Sequence, residues 1–323
     1  MIMKYKALAH YARLLFGAVT LSCAAAFTFF GERVVSCQQR LFATDTGRSC
    51  QTPADIYFQQ HQYIPPPKTI HAVLHPQDQQ DSVTSEGRGI LVVGDVHGCL
   101  EELKLLHQAA VEANQNQPFE YVILVGDLVN KGPSSAQVVQ FVQQQDRWLS
   151  VRGNHDNWAL TAAMADDEKR RNKPKSVWIN DLTDQDIQWL ADLPYTIRIP
   201  ASYWTTSEDQ LDTDTLIVHA GLVPGVELKD QTFETMVTIR QINPCSSGEQ
   251  PLWSTLWKGP EHVIFGHDAK AGLQQNEFAT GLDTGCCYGK RITGMLLPQR
   301  QLVSVEARDV YSPIVENKYT KKE

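Results

Sequence analysis

The sequence predicts an α/β fold for its larger, C-terminal part. Five short runs rich in Val, Ile and Leu are typical of strands buried on both faces, and helical patterns follow the first three. Such alternation of strand, loop and helix favours α/β architecture. Each run also ends beside a glycine and a side chain able to bind a metal ion.

The first three runs each predict a strand, a turn and a helix. ILVVGDVHG ends in Asp95 and His97 and precedes CLEELKLLHQAAVEA. YVILVGDLVNKG contains Asp127 and precedes SSAQVVQFVQQQ, and WLSVRGNHD contains Asn154 and His155 and precedes NWALTAAMA.

Two later runs, TLIVHAG and HVIFGHD, contain His219 and His267. Ligands of α/β sheets bind outside the carboxyl ends of the strands, so all five ends can converge on one site. The glycines would let the backbone turn sharply and approach an ion closely. One histidine at a strand end is usually structural, but five such ends in one domain predict a site.

The ligand types narrow the chemistry of that site. Two Asp, one Asn and three His, without Cys, suit Zn, Mn or Fe rather than a thiolate centre. Six ligands exceed what one catalytic metal needs, whereas two metals sharing a bridging carboxylate would use them all, and paired metals are typical of phosphoester hydrolysis. The candidate ligands are Asp95, His97, Asp127, Asn154, His219 and His267.

The motifs GDVHG, GDLVNKG, RGNHD, HAG and GHD resemble, in order and spacing, the calcineurin-like metallophosphoesterases. Their closest likeness is to the phosphoprotein-phosphatase branch. GDLVNKGP and GLDTGCCYG are similar to the diadenosine-tetraphosphatase-like group of that branch, whose fungal members include a vacuolar endopolyphosphatase. The resemblance spans about residues 88 to 305.

This resemblance implies a β-sandwich of two mixed sheets flanked by helices, with two metal ions at one edge. Asp95 and His97 would bind the first metal and Asp127 would bridge. Asn154, His219 and His267 would bind the second, and a metal-bridging water or hydroxide would attack phosphorus. His155 would donate a proton to the leaving oxygen.

Three positions depart from the protein phosphatases. Asn130 and Lys131 stand where those enzymes have Asp-Arg, and Asp156 replaces a Glu. Asn130 lacks the negative charge that would stabilise a protonated His155, and Lys131 offers a point charge rather than a bidentate fork. These changes favour phosphoanhydride substrates such as polyphosphate or dinucleoside polyphosphates.

A polyanionic substrate needs several cations. Lys131 and Arg240 are the candidate catalytic and phosphate contacts, and Asn130 and Tyr288 are further candidate substrate contacts. The cations in or near the motif loops are Lys131, Arg152, Arg240, Lys258, Lys270 and Lys290.

Two other features have less specific interpretations. The basic run at residues 169–175 could line an approach to the site, although a solvated helix end is the simpler interpretation. Trp253 and Trp257 are four residues apart, which favours a place in the core over a base-stacking platform.

Two other classes of function compete with this interpretation. DTG occurs at residues 45–47 and 283–285, as in an aspartic protease, but a protease needs both copies at the ends of apolar strands and the first lies in the predicted linker, after LFAT. Asp283 would instead shape the phosphatase site. A non-catalytic scaffold would be expected to lack ligands, whereas every ligand position here is filled.

The N-terminal region predicts a membrane anchor. Residues 14–30 carry no charge and follow Lys4, Lys6 and Arg13, which places the remaining chain on the lumenal or exterior side. A cleaved signal peptide is the alternative. The predicted organisation is an anchor (1–35), a linker rich in Gln, Pro and Ser (36–86), a metallophosphoesterase domain (87–306) and a polar tail (307–323).

Composition limits the partners. The net charge of −8 argues against non-specific nucleic-acid binding. Seven cysteines without a CxxC pair argue against a zinc ribbon, although Cys37 and Cys50 could pair in an oxidising lumen.

The sequence therefore predicts a membrane-anchored hydrolase of phosphoanhydride bonds with two divalent ions, Zn, Mn, Co or Fe. An endopolyphosphatase facing a vacuolar lumen is the first candidate, and a secreted protein is the alternative location. A dinucleoside-tetraphosphate hydrolase and then a Ser/Thr protein phosphatase are the alternative functions.

Overall fold

The computed structural model describes residues 67–75, 89–164, 172–204, 211, 213–242 and 250–313. Within these ranges the chain forms two mixed β-sheets flanked by helices, as the resemblance implied. The strands are β1 (His71–Val73), β2 (Ile90–Val93), β3 (Tyr121–Leu124), β4 (Trp148–Ser150), β5 (Thr196–Ile199), β6 (Thr215–Val218), β7 (His262–Phe265), β8 (Gln274–Gln275), β9 (Ala279–Gly281), β10 (Arg291–Leu297) and β11 (Gln301–Glu306).

The first sheet has the order β11-β10-β2-β3-β4. Strands β2, β3 and β4 pair in parallel, and β10 pairs antiparallel with both β2 and β11. The second has the order β1-β5-β6-β7-β9-β8, in which β6, β7 and β9 are parallel. The five runs singled out in the sequence are therefore β2, β3 and β4 of one sheet and β6 and β7 of the other.

The helices are α1 (Leu100–Ala113), α2 (Ser135–Gln144), α3 (Asn154–Met164), α4 (Asp184–Asp192), α5 (Phe233–Thr238) and α6 (Trp253–Leu256). The first two lie where the sequence predicts them. Helix α3 begins three residues before its predicted start, so Asn154 and His155 belong to its first turn.

The strand pattern in the first sheet explains the lack of polar residues in the runs. Ile90 and Val92 of β2 pack between the two sheets, whereas Leu91 and Val93 pack on the other face against helices. Because both faces are buried, every position of the strand is apolar. Each such side chain contributes about 1.5–3 kcal/mol when fully buried.

The second sheet repeats this arrangement. Ile217 and Ile264 face the first sheet, and Val218 and Phe265 face the opposite side, where they form a cluster with Trp253. The predicted core position of Trp253 is confirmed, since only 1% of it is exposed. The domain thus has four layers, with a sheet pair between two helical layers.

Two boundaries of the predicted organisation need correction. Residues 71–73, assigned to the linker, form β1, which pairs in parallel with β5. Residues 307–313, assigned to the tail, pack on the domain, because the Arg308 N–H and the Tyr311 hydroxyl both donate to Glu102 Oε1, at 3.0 and 2.7 Å. Composition alone missed both because the contacts are long-range.

The predicted anchor, the Cys37 and Cys50 pair and the first DTG copy lie outside the described residues. In the part of the chain that the structure describes, we find no helix with the length and apolar character needed to cross a membrane.

Candidate metal centre

The carboxyl ends of the five strands meet where the two sheets abut. His219 Nδ1–H donates to the Val125 carbonyl at 2.8 Å, and the Gly266 N–H donates to the His219 carbonyl at 2.7 Å. The His267 N–H lies 3.1 Å from Asp95 Oδ1. The His219–Val125 and His267–Asp95 contacts join loops of one sheet to loops of the other, and the Gly266–His219 contact joins two loops of the second sheet, so the strand ends converge as predicted.

The first candidate metal position lies among Asp95, His97 and Asp127. His97 Nε2 is 3.4 Å from Asp127 Oδ2 and 4.0 Å from Asp95 Oδ2. All three side chains are almost completely buried.

The second position lies among Asn154, His219 and His267, with Asp127 beside it. Asn154 Oδ1 is 3.1 Å from His219 Nε2 and 3.0 Å from His267 Nδ1. His219 Nε2 is also 3.4 Å from Asp127 Oδ1. The two oxygens of Asp127 therefore face different histidines, as a bridging carboxylate requires.

These spacings fit metal binding. Ligand atoms about 2.0–2.2 Å from one ion lie roughly 3–3.5 Å from one another, and most of the distances fall in that range. His97, Asp127 and His155 form one group able to bind an ion, and Asp127, His219 and His267 form a second. The two groups share Asp127, which fits a two-metal centre.

The histidine rings are oriented for this role. His97 Nδ1–H donates to the Val129 carbonyl at 2.9 Å, and His267 Nε2–H donates to the Thr238 carbonyl at 3.2 Å. With His219 bonded to Val125, each ring directs its remaining nitrogen into the site. Burial lowers the pKa of His97, His219 and His267, which keeps the rings neutral and able to ligate.

A pair of buried carboxyl groups also favours a cation here. Asp283 lies beside Asp95, and burial together with the Asp283 carboxylate raises the pKa of Asp95. Burial likewise raises the pKa of Asp283 to about 6. A positive ion would stabilise both carboxylates, so the proposed contribution of Asp283 to the site agrees with its position.

The backbone of the site is held in an uncommon conformation. His97, Asp127 and His267 have φ values of 47°, 52° and 69°. Non-glycine residues rarely occupy this left-handed region, and such strain concentrates at functional sites. The surrounding packing therefore fixes these three ligands in place.

Two motif glycines are required by close approach to the carboxylates. A Cβ at Gly153 would lie 2.2 Å from Asp127 Oδ1, and one at Gly266 would lie 1.9 Å from Asp95 Oδ1. The sequence suggested sharp turns at these glycines, and the structure adds that any larger residue would collide with a candidate metal ligand.

His155 lies beside the Asp127 carboxylate, which accepts its backbone N–H, and Asn130 contacts the His155 ring. The Asn130 side-chain amide donates to His155 Nδ1 at 3.1 Å, which leaves the proton of the neutral ring on Nε2. Burial lowers the pKa of His155 to about 4. Because His155 is paired with the Asn130 amide and not with a carboxylate, its ring is neutral near pH 7, as the sequence indicated.

Lys131 lies close to the first metal position. Its ammonium donates to His97 Nε2 at 2.7 Å and lies 5.2 Å from the centre of the Tyr288 ring. Burial opposes its charge, but the Asp127 carboxylate raises the pKa of Lys131, so it remains a cation. The structure therefore brings together Lys131, Tyr288 and the candidate metal ligands.

The other candidate cations differ in position. Arg240 Nη2 donates to the His267 carbonyl at 3.1 Å, and its side chain is half exposed at the edge of the site. Arg152 is fully buried and donates to the Ala191 carbonyl and to Tyr195, so this motif-loop cation does not face the candidate metal centre. Its orientation is set by packing against α4, which the motif does not reveal.

The sequence profile of the calcineurin-like phosphoesterases matches residues 89–297, which include all six candidate ligands. The chain belongs to this family. It is therefore a metallophosphoesterase, an enzyme that hydrolyses its substrate with divalent metal ions, and the six candidate ligands are the residues that would hold them.

Two curated proteins are similar over most of this phosphoesterase. The asymmetrical bis(5′-nucleosyl)-tetraphosphatase PrpE of Oceanobacillus iheyensis is 24% identical over 256 residues, which cover 71% of this chain and 95% of the relative. The zinc-dependent endopolyphosphatase of Saccharomyces cerevisiae is 25% identical over 272 residues, which cover 72% of this chain and 82% of the relative.

A solved structure is similar as well. The crystal structure of a "putative diadenosine tetraphosphatase" is 29% identical, with a TM-score of 0.58, and the match covers 74% of this chain and 98% of that one. The fold implied by the sequence motifs is therefore shared with this solved structure.

A cleft of about 850 Å³ opens beside the metal centre of this phosphoesterase. Asn154, His155 and Lys131 form its inner end, and its walls include Trp158, Trp178 and Tyr311. The sequence motifs do not identify these aromatic residues. One signal was available for Trp158, which follows the ligand Asn154 by four residues and so lies on the same helix face.

Proposed function

We propose that this metallophosphoesterase hydrolyses phosphoanhydride bonds within chains of phosphates. The observation that supports the two-metal chemistry best is the position of Asp127, whose two carboxylate oxygens face His97 and His219 at 3.4 Å each. The relatives named above are a tetraphosphatase and an endopolyphosphatase, and both names describe the cleavage of phosphoanhydrides.

The residues of the site indicate what the metal ions and the side chains would each contribute to hydrolysis. Divalent ions at the centre would offset the negative charge of the phosphate and activate water. The water oxygen forms a bond to phosphorus and loses a proton to solvent, the P–O bond to the next phosphate breaks, and that leaving oxygen keeps the electron pair. An anhydride releases a phosphate, which is a good leaving group, so a strong general acid is not needed.

This chemistry suits the state of His155. A neutral ring whose Nδ1 accepts from Asn130 presents Nε2–H to the site, where it can donate a hydrogen bond to a phosphate oxygen. Lys131, on the same side, supplies a positive charge next to the scissile phosphate. Both groups would therefore position and stabilise phosphate rather than protonate a poor leaving group.

Two classes of phosphoanhydride substrate follow from this proposal. Inorganic polyphosphate, cleaved internally, is the first candidate from the sequence, and Lys131 and Arg240 would bind successive phosphates. A dinucleoside tetraphosphate is the second, and the aromatic walls of the cleft favour it. A Ser/Thr phosphoprotein is a weaker third candidate, because Lys131 replaces the arginine of those phosphatases.

A substrate panel tests the proposed function. The full-length chain would be stripped of metal, given Zn, Mn or Co, and incubated with long-chain polyphosphate, diadenosine tetraphosphate and a phosphoserine peptide. Hydrolysis of either anhydride, absent without metal and in Asp127→Asn, supports the proposal. Hydrolysis of the phosphopeptide alone would overturn it.

The location belongs to the proposal as well. The uncharged stretch at residues 14–30 supports a membrane anchor with the enzyme on the lumenal side, for which a vacuole is our candidate. Alkaline extraction and protease protection of isolated membranes would test it. Release of the chain into the soluble fraction at high pH would contradict the anchor and favour secretion.

A further inference from the structure

The cleft beside the metal centre has aromatic walls at a defined distance from the candidate ligands. Asn154 and Trp158 are four residues apart on α3, so their side chains share one face and lie about 6 Å apart along the helix axis. A group bound against Trp158 therefore lies within a few bond lengths of a phosphate bound at the metal centre.

Hydrogen bonds on the side away from the cleft fix the other two aromatic side chains, Trp178 and Tyr311. Trp178 Nε1–H donates to the Lys175 carbonyl at 3.1 Å, and the Tyr311 hydroxyl donates to Glu102 at 2.7 Å. Glu102 is almost fully buried and also accepts the Arg308 N–H. Trp158, Trp178 and Tyr311 are each half-buried, with one side packed on the core. The walls are thus fixed before a ligand binds, which lowers the entropic cost of binding.

The charge of the cleft is complementary to an anion. Lys131 lies at its inner end and Lys175 at its outer wall, and none of the described residues that line it is acidic. Inorganic polyphosphate would use these cations but would gain nothing from three aromatic side chains. A planar, uncharged ring joined to a phosphate chain would use both.

We propose that Trp158, Trp178 and Tyr311 form a binding site for the base of a nucleoside 5′-oligophosphate, whose phosphate chain extends past Lys131 to the metal centre. One nucleoside is sufficient in this arrangement, so a mononucleoside substrate such as adenosine 5′-tetraphosphate is accepted as well as a dinucleoside one. The inference rests on the proposed function and names the substrate class of that same site.

A pair of substrates with matched phosphate chains provides the test. Adenosine 5′-tetraphosphate and inorganic tetraphosphate differ by the nucleoside, so the ratio of their kcat/KM values measures the contribution of the cleft. Stacking of one base on an aromatic side chain typically changes affinity by about 10-fold or more. We expect the full-length enzyme to favour the adenosine substrate by at least about that factor.

Substitution of the aromatic side chains that line the cleft should change the ratio of the two kcat/KM values without changing the hydrolysis of inorganic tetraphosphate. Trp178→Ala and Trp158→Ala should reduce the preference at least about 5-fold with little change for inorganic tetraphosphate, and Trp178→Phe should retain it. Trp189→Ala, at a half-buried tryptophan of α4 that does not line the cleft, is the matched control and should affect both substrates equally. Inhibition by adenosine 5′-monophosphate should weaken in parallel.

The outcomes separate this inference from the proposed function. Hydrolysis of both tetraphosphates with equal efficiency, or a preference that the tryptophan variants leave unchanged, would overturn the base site and keep the phosphoanhydride hydrolase. Hydrolysis of neither compound, nor of any other anhydride, would overturn the proposed function itself.

Discussion

The carboxylate of Asp156 accepts a hydrogen bond from the backbone N–H of Asp127 at 2.9 Å. The same carboxylate accepts the N–H groups of Leu128 and Gly153, at 3.0 and 2.8 Å. It is fully buried, and it joins the loop after β3 to the loop after β4. The position of Asp127, the candidate bridging ligand, therefore depends on a residue that does not itself face the candidate metal positions.

Asp156→Asn should weaken both the fold and the metal centre. The amide replaces one acceptor oxygen with a donor, which leaves at least one buried N–H without a partner at a cost of about 1–3 kcal/mol. We expect a melting temperature lower by several degrees and a loss of bound metal, measured by calorimetry and elemental analysis.

Asp186→Asn provides the control for this experiment. Asp186 is also a buried carboxylate that accepts a backbone N–H, from Thr183 at 2.9 Å, but it caps α4 away from the centre. Its variant should lose stability and keep its metal. Full metal content in Asp156→Asn would show that Asp156 serves the fold only.

Asp127→Asn should abolish hydrolysis while leaving the fold largely intact. The substitution keeps the shape of the side chain but removes its charge and one of the two oxygens that face His97 and His219. We expect at least about a 1,000-fold loss of kcat, since metal-ion stabilisation of the reacting phosphate contributes several kcal/mol.

Elemental analysis and circular dichroism would accompany the kinetic measurement of Asp127→Asn. Metal content should fall below two ions per chain, and the spectrum should match that of the wild type. Asp146→Asn, at a carboxylate that is 96% exposed, is the control. Retained turnover in Asp127→Asn would contradict the two-metal mechanism.

Much of the fold and the position of the candidate ligands could be predicted from the sequence, because both depend on short local patterns. Strands such as β2 and β7 are buried on both faces, so each leaves an uninterrupted apolar run, and the first polar residue after it marks the carboxyl end. The ligand types at those ends then specify the chemistry. The two glycines that approach carboxylates lie in the same motifs.

The remaining features depend on long-range packing. Trp158, Trp178 and Tyr311 are separated by up to 153 positions in the sequence and meet only through the tertiary fold. Arg152 lies in a motif loop, but its side chain turns into the core instead of toward the site. A cation in a motif places a positive charge near the site along the chain. The direction of its side chain, however, depends on packing neighbours that the sequence does not identify.

Lys131→Ala should impair the cleavage of long polyphosphate more than that of p-nitrophenyl phosphate. Charge-assisted hydrogen bonds contribute about 1.5–3 kcal/mol, so we expect roughly a 10- to 100-fold loss of kcat/KM for polyphosphate and a smaller loss for the ester. Lys104→Ala, at an exposed lysine paired with Glu101, should change neither substrate. Equal losses for both substrates would mean that Lys131 serves the scissile phosphate alone.

His262 should make the domain less stable in acid. Its Nε2 lies 3.0 Å from Thr280 Oγ1 in the core of the second sheet. Burial and the positive charge of Arg300 lower the pKa of His262 to about 4, against about 6.5 in an unfolded chain. Between those values the unfolded chain binds a proton that the folded one excludes, so the stability present above pH 6.5 is lost as the pH falls toward 4.

His262→Gln tests this linkage, because it removes the titrating group and keeps a side chain able to reach Thr280. The variant should start from a lower melting temperature at pH 7.5, since the packing of the ring is lost, but its melting temperature should fall less than that of the wild type between pH 7.5 and pH 4.5. Both proteins would be measured loaded with metal, with His75→Gln at an exposed histidine as the control. Parallel curves for His262→Gln and the wild type would show that another group causes the acid sensitivity.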